Sequence, residues 1–352
     1  MSAAADAASA AAAGALPSDT PAAPVIAVRE LRKVYGQLVA VDDISFEVRR
    51  GEVFGILGPN GAGKTTTLEM IEGLRAPDGG GVTVDGLSVW PHPKEVKRRI
   101  GVQLQATALF EYQKLHEIIY LFGSCYGVHR SRAECDALLE RVGIGEKSDA
   151  FANQLSGGQA QRLSIALALV NDPVVTFLDE PTTGLDPRAR RVLWDVIRDI
   201  NRSGTTVVLT SHYMEEAQRL CDRVAVMDQG RIMALDTPQA LISQLGAQAH
   251  ITFRLSEQVP LSALCDLPGA EDCRAREEQG YAILATDAQT AVTSLLDLAA
   301  TRDLAVENLD ISGANLEDVF LSMTGHKLSD DERVEVEAAP EKKRRRLFGG
   351  RR

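Results

Sequence analysis

No apolar stretch in this 352-residue chain reaches the roughly 18–20 residues that a membrane-spanning helix needs. The nearest approach, Ile165–Val170 followed by Val174–Leu178, is broken by Asn171-Asp172-Pro173, so the chain is not expected to cross a bilayer by itself. A basic excess is missing too: 38 Lys and Arg stand against 49 Asp and Glu, a formal charge of −11. Gripping a phosphate backbone takes a basic face, so a dedicated nucleic-acid binder is disfavoured. Cysteine is sparse. Cys125, Cys135, Cys221, Cys265 and Cys273 are scattered without a CxxC, which reads as reduced thiols in the cytoplasm rather than disulfides or a metal site. Residues 1–24, half of them Ala, lack the positive start and leucine-rich centre of a signal peptide, and read as a flexible leader. No repeat is evident, so one copy of the main domain is expected. What remains, 45% hydrophobic and 25% charged residues, is the mixture of a soluble globular chain of about two domains.

From Val25 the texture becomes an alternation of strands and helices. The apolar patterns predict strands at Val25–Val28, Leu38–Val48, Val53–Leu57, Val82–Val84, Val174–Leu178, Thr206–Thr210, Val224–Asp228 and Arg231–Leu235. Helices are predicted at Thr65–Leu74, Lys114–Tyr126, Arg132–Val142, Gly158–Leu169, Ala189–Arg202 and Met214–Cys221. Such alternation over residues 25–245 implies an α/β domain with a mostly parallel sheet and helices on both faces. After about Gly246 the composition shifts. Strands at Ile251–Leu255, Tyr281–Thr286 and Val306–Ile311, with helices at Gln289–Thr301 and Leu316–Thr324, read as a small α+β C-terminal domain over 246–325, of ferredoxin-like type. Residues 326–352 form a charged tail, acidic over Asp330–Glu341 and then basic, with seven Lys or Arg in Lys342–Arg352. That basic end could touch anionic lipid, at roughly 1 kcal/mol per residue; a solvated chain end is the plainer reading.

Gly58-Pro59-Asn60-Gly61-Ala62-Gly63-Lys64-Thr65, followed by Thr66, fits G-x-x-x-x-G-K-[ST] between a predicted strand and a predicted helix. Glycines let successive backbone N–H groups turn around a β-phosphate, and the helix start adds partial positive charge. Lys64 reaches the β- and γ-phosphates, and the Thr65 hydroxyl ligates Mg²⁺. Val174–Leu178 runs into Asp179 and Glu180, a buried strand ending in two carboxylates. Asp179 suits Mg²⁺ through water, and Glu180 suits the polarising of an attacking water. Leu155-Ser156-Gly157-Gly158-Gln159 makes a second anion site at a helix start, with Ser156 as cap. One nucleotide seldom needs two cradles in one chain, so the second fits a nucleotide held by another subunit.

With Leu155–Gln159 matching its signature motif, and with the order of P-loop, signature, acidic strand and later His, the sequence resembles the ATP-binding cassette (ABC) ATPases over about residues 25–245. It is similar to ATPase subunits of drug-exporter type, such as those of daunorubicin and doxorubicin resistance; Leu316–Leu321 resembles a motif of that branch. The resemblance implies that Tyr35 stacks on adenine and that Gln105 touches Mg²⁺ and the attacking water, with Gln103 the weaker candidate. It further implies that Asp186, in Gly184-Leu185-Asp186-Pro187, crosses a dimer seam, and that His212 contacts the γ-phosphate. The other five histidines, at 92, 116, 129, 250 and 326, share no metal-ligand spacing. Two segments depart from the family pattern: Ala160 holds a place that is often charged, and Glu111–His116 differs in a region that meets the permease in relatives.

The implied whole is an ATPase of P-loop fold that uses ATP and Mg²⁺ as a head-to-tail homodimer. It would be docked on a separate integral-membrane permease at the cytoplasmic face of the membrane, exporting a small drug-like or lipid-linked compound. A soluble relative acting on ribosomes or DNA is the alternative. One cassette, no sustained heptads and the acidic charge argue against it.

Overall fold

A computed structural model describes residues 23–103, 111–245, 249–276 and 280–324. The first 22 residues, Gln105 and the charged tail from 325 onward lie outside them.

In chain order the first elements are β1 (Ile26–Tyr35), β2 (Leu38–Val48), β3 (Val53–Leu57), α1 (Lys64–Ile71), β4 (Gly79–Val84), β5 (Leu87–Ser88), α2 (Pro93–Lys97) and β6 (Ile100–Val102). Then follow α3 (Leu115–Cys125), α4 (Arg132–Arg141), α5 (Gly157–Ala168), β7 (Val175–Asp179), α6 (Pro187–Arg202) and β8 (Thr206–Ser211). Next come α7 (Met214–Leu220), β9 (Arg223–Asp228), β10 (Arg231–Asp236) and α8 (Pro238–Gln244). The last group is β11 (Ala249–Leu255), α9 (Leu261–Cys265), β12 (Ala270–Arg276), β13 (Gly280–Ala285), α10 (Ala288–Thr301), β14 (Val306–Gly313) and α11 (Leu316–Thr324).

The central sheet runs β10-β9-β3-β8-β7-β6, and every pairing in it is parallel except that of the edge strand β10. All five residues of β3 are buried, as a strand covered on both faces requires. Its side chains divide by the period of two: Val53 and Leu57 face a core shared with α3 to α7, while Phe54 and Ile56 face a second core with α1. That second face differs from the expectation of helices alone. Besides α1 and α2 it carries a separate antiparallel sheet, β2-β1-β4-β5.

β1 is also longer than its sequence suggests. Register shifts follow Val28, Leu31 and Lys33, and Glu30 adopts φ 47°, so the alternation slips although pairing continues. α6 begins two residues before its predicted start because Pro187 occupies the first turn behind the cap Asp186. Its buried face, Leu193, Trp194, Val196, Ile197 and Ile200, follows helical spacing.

Beyond β10 and α8, a four-stranded antiparallel sheet of order β12-β13-β11-β14 packs Ile251, Phe253, Ile283 and Leu295 into a core of its own. Two interleaved β-α-β halves give the connectivity of a ferredoxin-like unit. The last helix does not join that core. Leu316, Val319 and Phe320 of α11 enter the core of the larger unit together with Leu241, and α11 packs on α7 and α8.

Candidate active site

Strands β3, β8 and β7 are adjacent and parallel, so their C-terminal ends lie on one edge of the sheet. In open α/β sheets that edge is where ligands bind. Here β3 delivers the loop Gly58–Gly63, β7 delivers Asp179 and Glu180, and β8 delivers His212.

The loop depends on glycine at two close approaches. A Cβ at Gly58 (φ 154°) would lie 2.1 Å from the Met227 carbonyl oxygen, and one at Gly63 (φ 96°) would lie 2.4 Å from that of Ala40. Asn60 and Gly61 are exposed, Ala62 is buried, and Thr65 and Thr66 open the helix. Lys64 is 5% exposed. Its Nζ donates to the carbonyl oxygens of Gly58 and Pro59, both at 2.9 Å, and lies 3.7 Å from Glu180 Oε1. Burial pulls the Lys64 ammonium below its usual pKa, against the pull of Glu180 and Asp179. The ammonium is thus held at the loop by two carbonyls and the nearby Glu180 carboxylate, positions from which phosphate oxygens can draw it.

The Thr65 hydroxyl donates to Asp179 Oδ2 at 3.2 Å. Behind them the Thr210 hydroxyl donates to Asp179 Oδ1 and accepts from the Glu180 backbone N–H at 2.9 Å. One side chain therefore fixes both acidic residues, and Glu180 takes φ 46° at the strand end. Glu180 Oε2 accepts from Thr183 Oγ1 at 3.1 Å, and His212 Nδ1 sits 3.3 Å from Oε1. That approach is a close polar contact rather than an aligned hydrogen bond, since Nδ1 has no hydrogen-bond partner. The nearness of His212 above all, then Lys64 and Thr183, holds the Glu180 carboxyl down to about 2 despite partial burial. Glu180 is therefore ionised at neutral pH and orients or polarises water more readily than it stores a proton.

Glu72, at the end of α1, is 5% exposed. Burial, then Asp179 and Glu69, push its carboxyl up to about 8, with Lys97 opposing. A raised folded-state pKa means that this group's stability contribution is full below about pH 4.5 and is lost as pH rises toward about 8. The melting temperature of Glu72→Gln should therefore gain on the native protein across that window and level off above it. A difference independent of pH would contradict this.

Tyr35 ends β1 with its ring 39% exposed. The ring lies 5.3 Å from the Arg75 guanidinium and 5.6 Å from Lys33 Nζ. Gln103 is buried beside the site strand, its N–H donating to Phe177 O at 3.0 Å.

The signature segment stands apart. Ser156 and Gln159 form a reciprocal cap at the start of α5: Gln159 N donates to Ser156 Oγ at 3.3 Å and Ser156 N to Gln159 Oε1 at 2.9 Å. Ser156, Gly157 and Gly158 border a depression that also includes Gly184, Asp186 and Arg188, and none of the residues lining it belongs to Gly58–Thr66. Asp186 Oδ1 accepts from the N–H groups of Arg188 and Ala189, both at 2.9 Å, as the cap of α6. The sequence did not single out Thr210 or Thr183. The one available signal for Thr210 was a polar residue directly after the apolar run Val207–Leu209.

A family described as ABC transporter matches residues 41–183. The Nod factor export ATP-binding protein I of Ralstonia nicotianae is 40% identical over 310 residues, covering 87% of this chain and 96% of that protein. The chain belongs to the ABC transporter ATP-binding proteins. Another relative is the daunorubicin resistance ATP-binding protein DrrA2 of Streptomyces coeruleorubidus, 36% identical over 87% of this chain and 97% of that protein. Among solved structures, the dimeric bacterial ABC transporter cassette MJ0796 is 27% identical with a TM-score of 0.54, covering 60% of this chain and 98% of that one. The family resemblance and the α/β P-loop fold expected from the sequence are thereby borne out. As a member of this family the chain binds ATP and is an ATPase coupled to transport. Cassettes of the family work as dimers.

Proposed function

We propose that this chain powers export of a small drug-like or lipid-linked compound through a separate membrane permease. It would act as a head-to-tail homodimer on the cytoplasmic face of the membrane. The observation that carries the reading is the convergence of Lys64, Asp179, Glu180 and His212 at one sheet edge while Ser156, Gly157 and Gly158 line a different surface. Export is supported by the relatives named for Nod factor export and daunorubicin resistance. Among the described residues no helix is long and apolar enough to cross a membrane, which suits a subunit that borrows its partner's pathway.

In this reading Gly58–Thr66 of one subunit cradles the phosphates and Tyr35 stacks on the adenine. Ser156–Gln159 and Asp186 of the second subunit close the seam. Thr65, Asp179 and Gln105 are oxygen donors of the kind Mg²⁺ prefers, and the 3.2 Å between the first two suits one shared site. Bound Mg²⁺ supplies charge neutralisation at the β- and γ-phosphates. Glu180 polarises the water for in-line attack, while Lys64 and His212 stabilise the charge that develops. Residues 25–245 act as the cassette. The unit over 246–325 spaces or regulates it.

Affinity capture of the full-length Glu180→Gln protein with ATP from detergent-solubilised cells tests the transport reading. A polytopic membrane protein in near-equal amount is expected. Ribosomal or DNA-repair proteins without a membrane partner would replace it with the soluble-ATPase reading.

A further inference from the structure

One buried carboxylate takes no part in the chemistry above. Glu216, on α7, is 0% exposed. Its Oε1 accepts from Trp194 Nε1 of α6 at 3.1 Å, and Oε2 is buried without a hydrogen-bond partner. Burial above all raises the Glu216 pKa, with Ser211, Trp194, Thr182 and the charge of Arg190 opposing. Thr182 follows Glu180 by two residues, and Ser211 precedes His212. A second contact ties the same elements together: the Arg190 guanidinium of α6 sits 4.2 Å over the Tyr213 ring, whose centre is 4.0 Å from that of His212. The turn bearing His212 is therefore held to α6 by the stacked cation, and α7, which follows it directly, by the Glu216–Trp194 hydrogen bond. At its N-terminus α6 is capped by Asp186.

A half-satisfied carboxylate in a core costs stability that an apolar side chain would not. A geometric task at this place accounts for its presence. We propose that Glu216 is a positioning residue, whose carboxylate, bonded to Trp194, locks the His212 turn onto α6 so that displacement at Asp186 is transmitted to His212. This rests on the reading of His212 as the γ-phosphate contact. A Leu at 216 fills similar space but leaves the Trp194 N–H without its acceptor, freeing the turn to drift. A Gln keeps the acceptor.

The test is a double-mutant cycle on ATP turnover by the full-length chain. Glu216→Leu is expected to lower kcat about tenfold with KM for ATP within about twofold, and Glu216→Gln to keep at least about half the rate. In a His212→Ala background, Glu216→Leu should cost less than about twofold further, because both changes act through one group. An equal loss in both backgrounds, an unchanged kcat in Glu216→Leu, or a loss in Gln as large as in Leu would overturn the proposal. Full turnover by His212→Ala alone would instead remove the role assigned to His212. Should Glu216→Leu fail to fold, Trp194→Phe removes only the donor and enters the same cycle with the same expected pattern.

Discussion

Glu180→Gln is expected to lower ATP turnover by about 10²- to 10⁴-fold, the span of a lost acid–base group, while ATP still binds. The amide keeps the size of the carboxylate and can still accept from Thr183. It carries no negative charge to polarise water, and it releases the hold on His212 and Lys64 that now spans 3.3 and 3.7 Å. Nucleotide phosphates then draw the Lys64 ammonium and the His212 ring without competition. The protein should therefore accumulate as a closed dimer in ATP, seen as a shift in sedimentation that persists for hours. Unchanged turnover would sink the role given to Glu180.

Lys64→Ala should fail one step earlier. Truncating one side of a buried, hydrogen-bonded charge contact costs about 2–5 kcal/mol, so ATP affinity should drop by at least about 30-fold. Two further consequences separate this variant from Glu180→Gln. The carbonyls of Gly58 and Pro59 lose the donor that cross-braces the loop, and Glu180 loses a cation that helps hold its pKa down. Equilibrium binding of a fluorescent ATP analogue distinguishes the two, with retention in the Gln variant and loss in the Ala variant. Binding to Lys64→Ala at native affinity would contradict the geometry described for the loop.

The chemistry was legible because its residues are local in sequence. The run Gly58–Thr65, the strand ending in Asp179-Glu180 and the segment Leu155–Gln159 each carry their meaning within a few positions, and the parallel strands that bring the first two together follow from the apolar pattern. What the sequence hid is set by tertiary pairing. β6 is three residues long and has no room for a period. β4 opens with Gly79-Gly80-Gly81, a composition that reads as a loop; its strand character comes from pairing with β1 and not from its own side chains. The bulges of β1 concealed that it continues to Tyr35. Glu216 sits in a short helix of ordinary composition, and only the approach of Trp194 from α6 marks it. Leu316–Leu321 was visible as a motif. Its packing partners were not, because an amphipathic helix announces a buried face without naming what covers it.

That last helix bears on the order in which the chain is made. Leu316, Val319 and Phe320 complete a core whose other members span Val53 to Leu241. On the ribosome, the larger unit waits with an apolar surface beside α7 and α8 until about 75 further residues have emerged. The intervening four-stranded sheet has its own core, but its last strand β14 ends at Gly313, three residues before α11 begins. Synthesis thus delivers the strand that completes the later unit and the helix that seals the earlier one back to back.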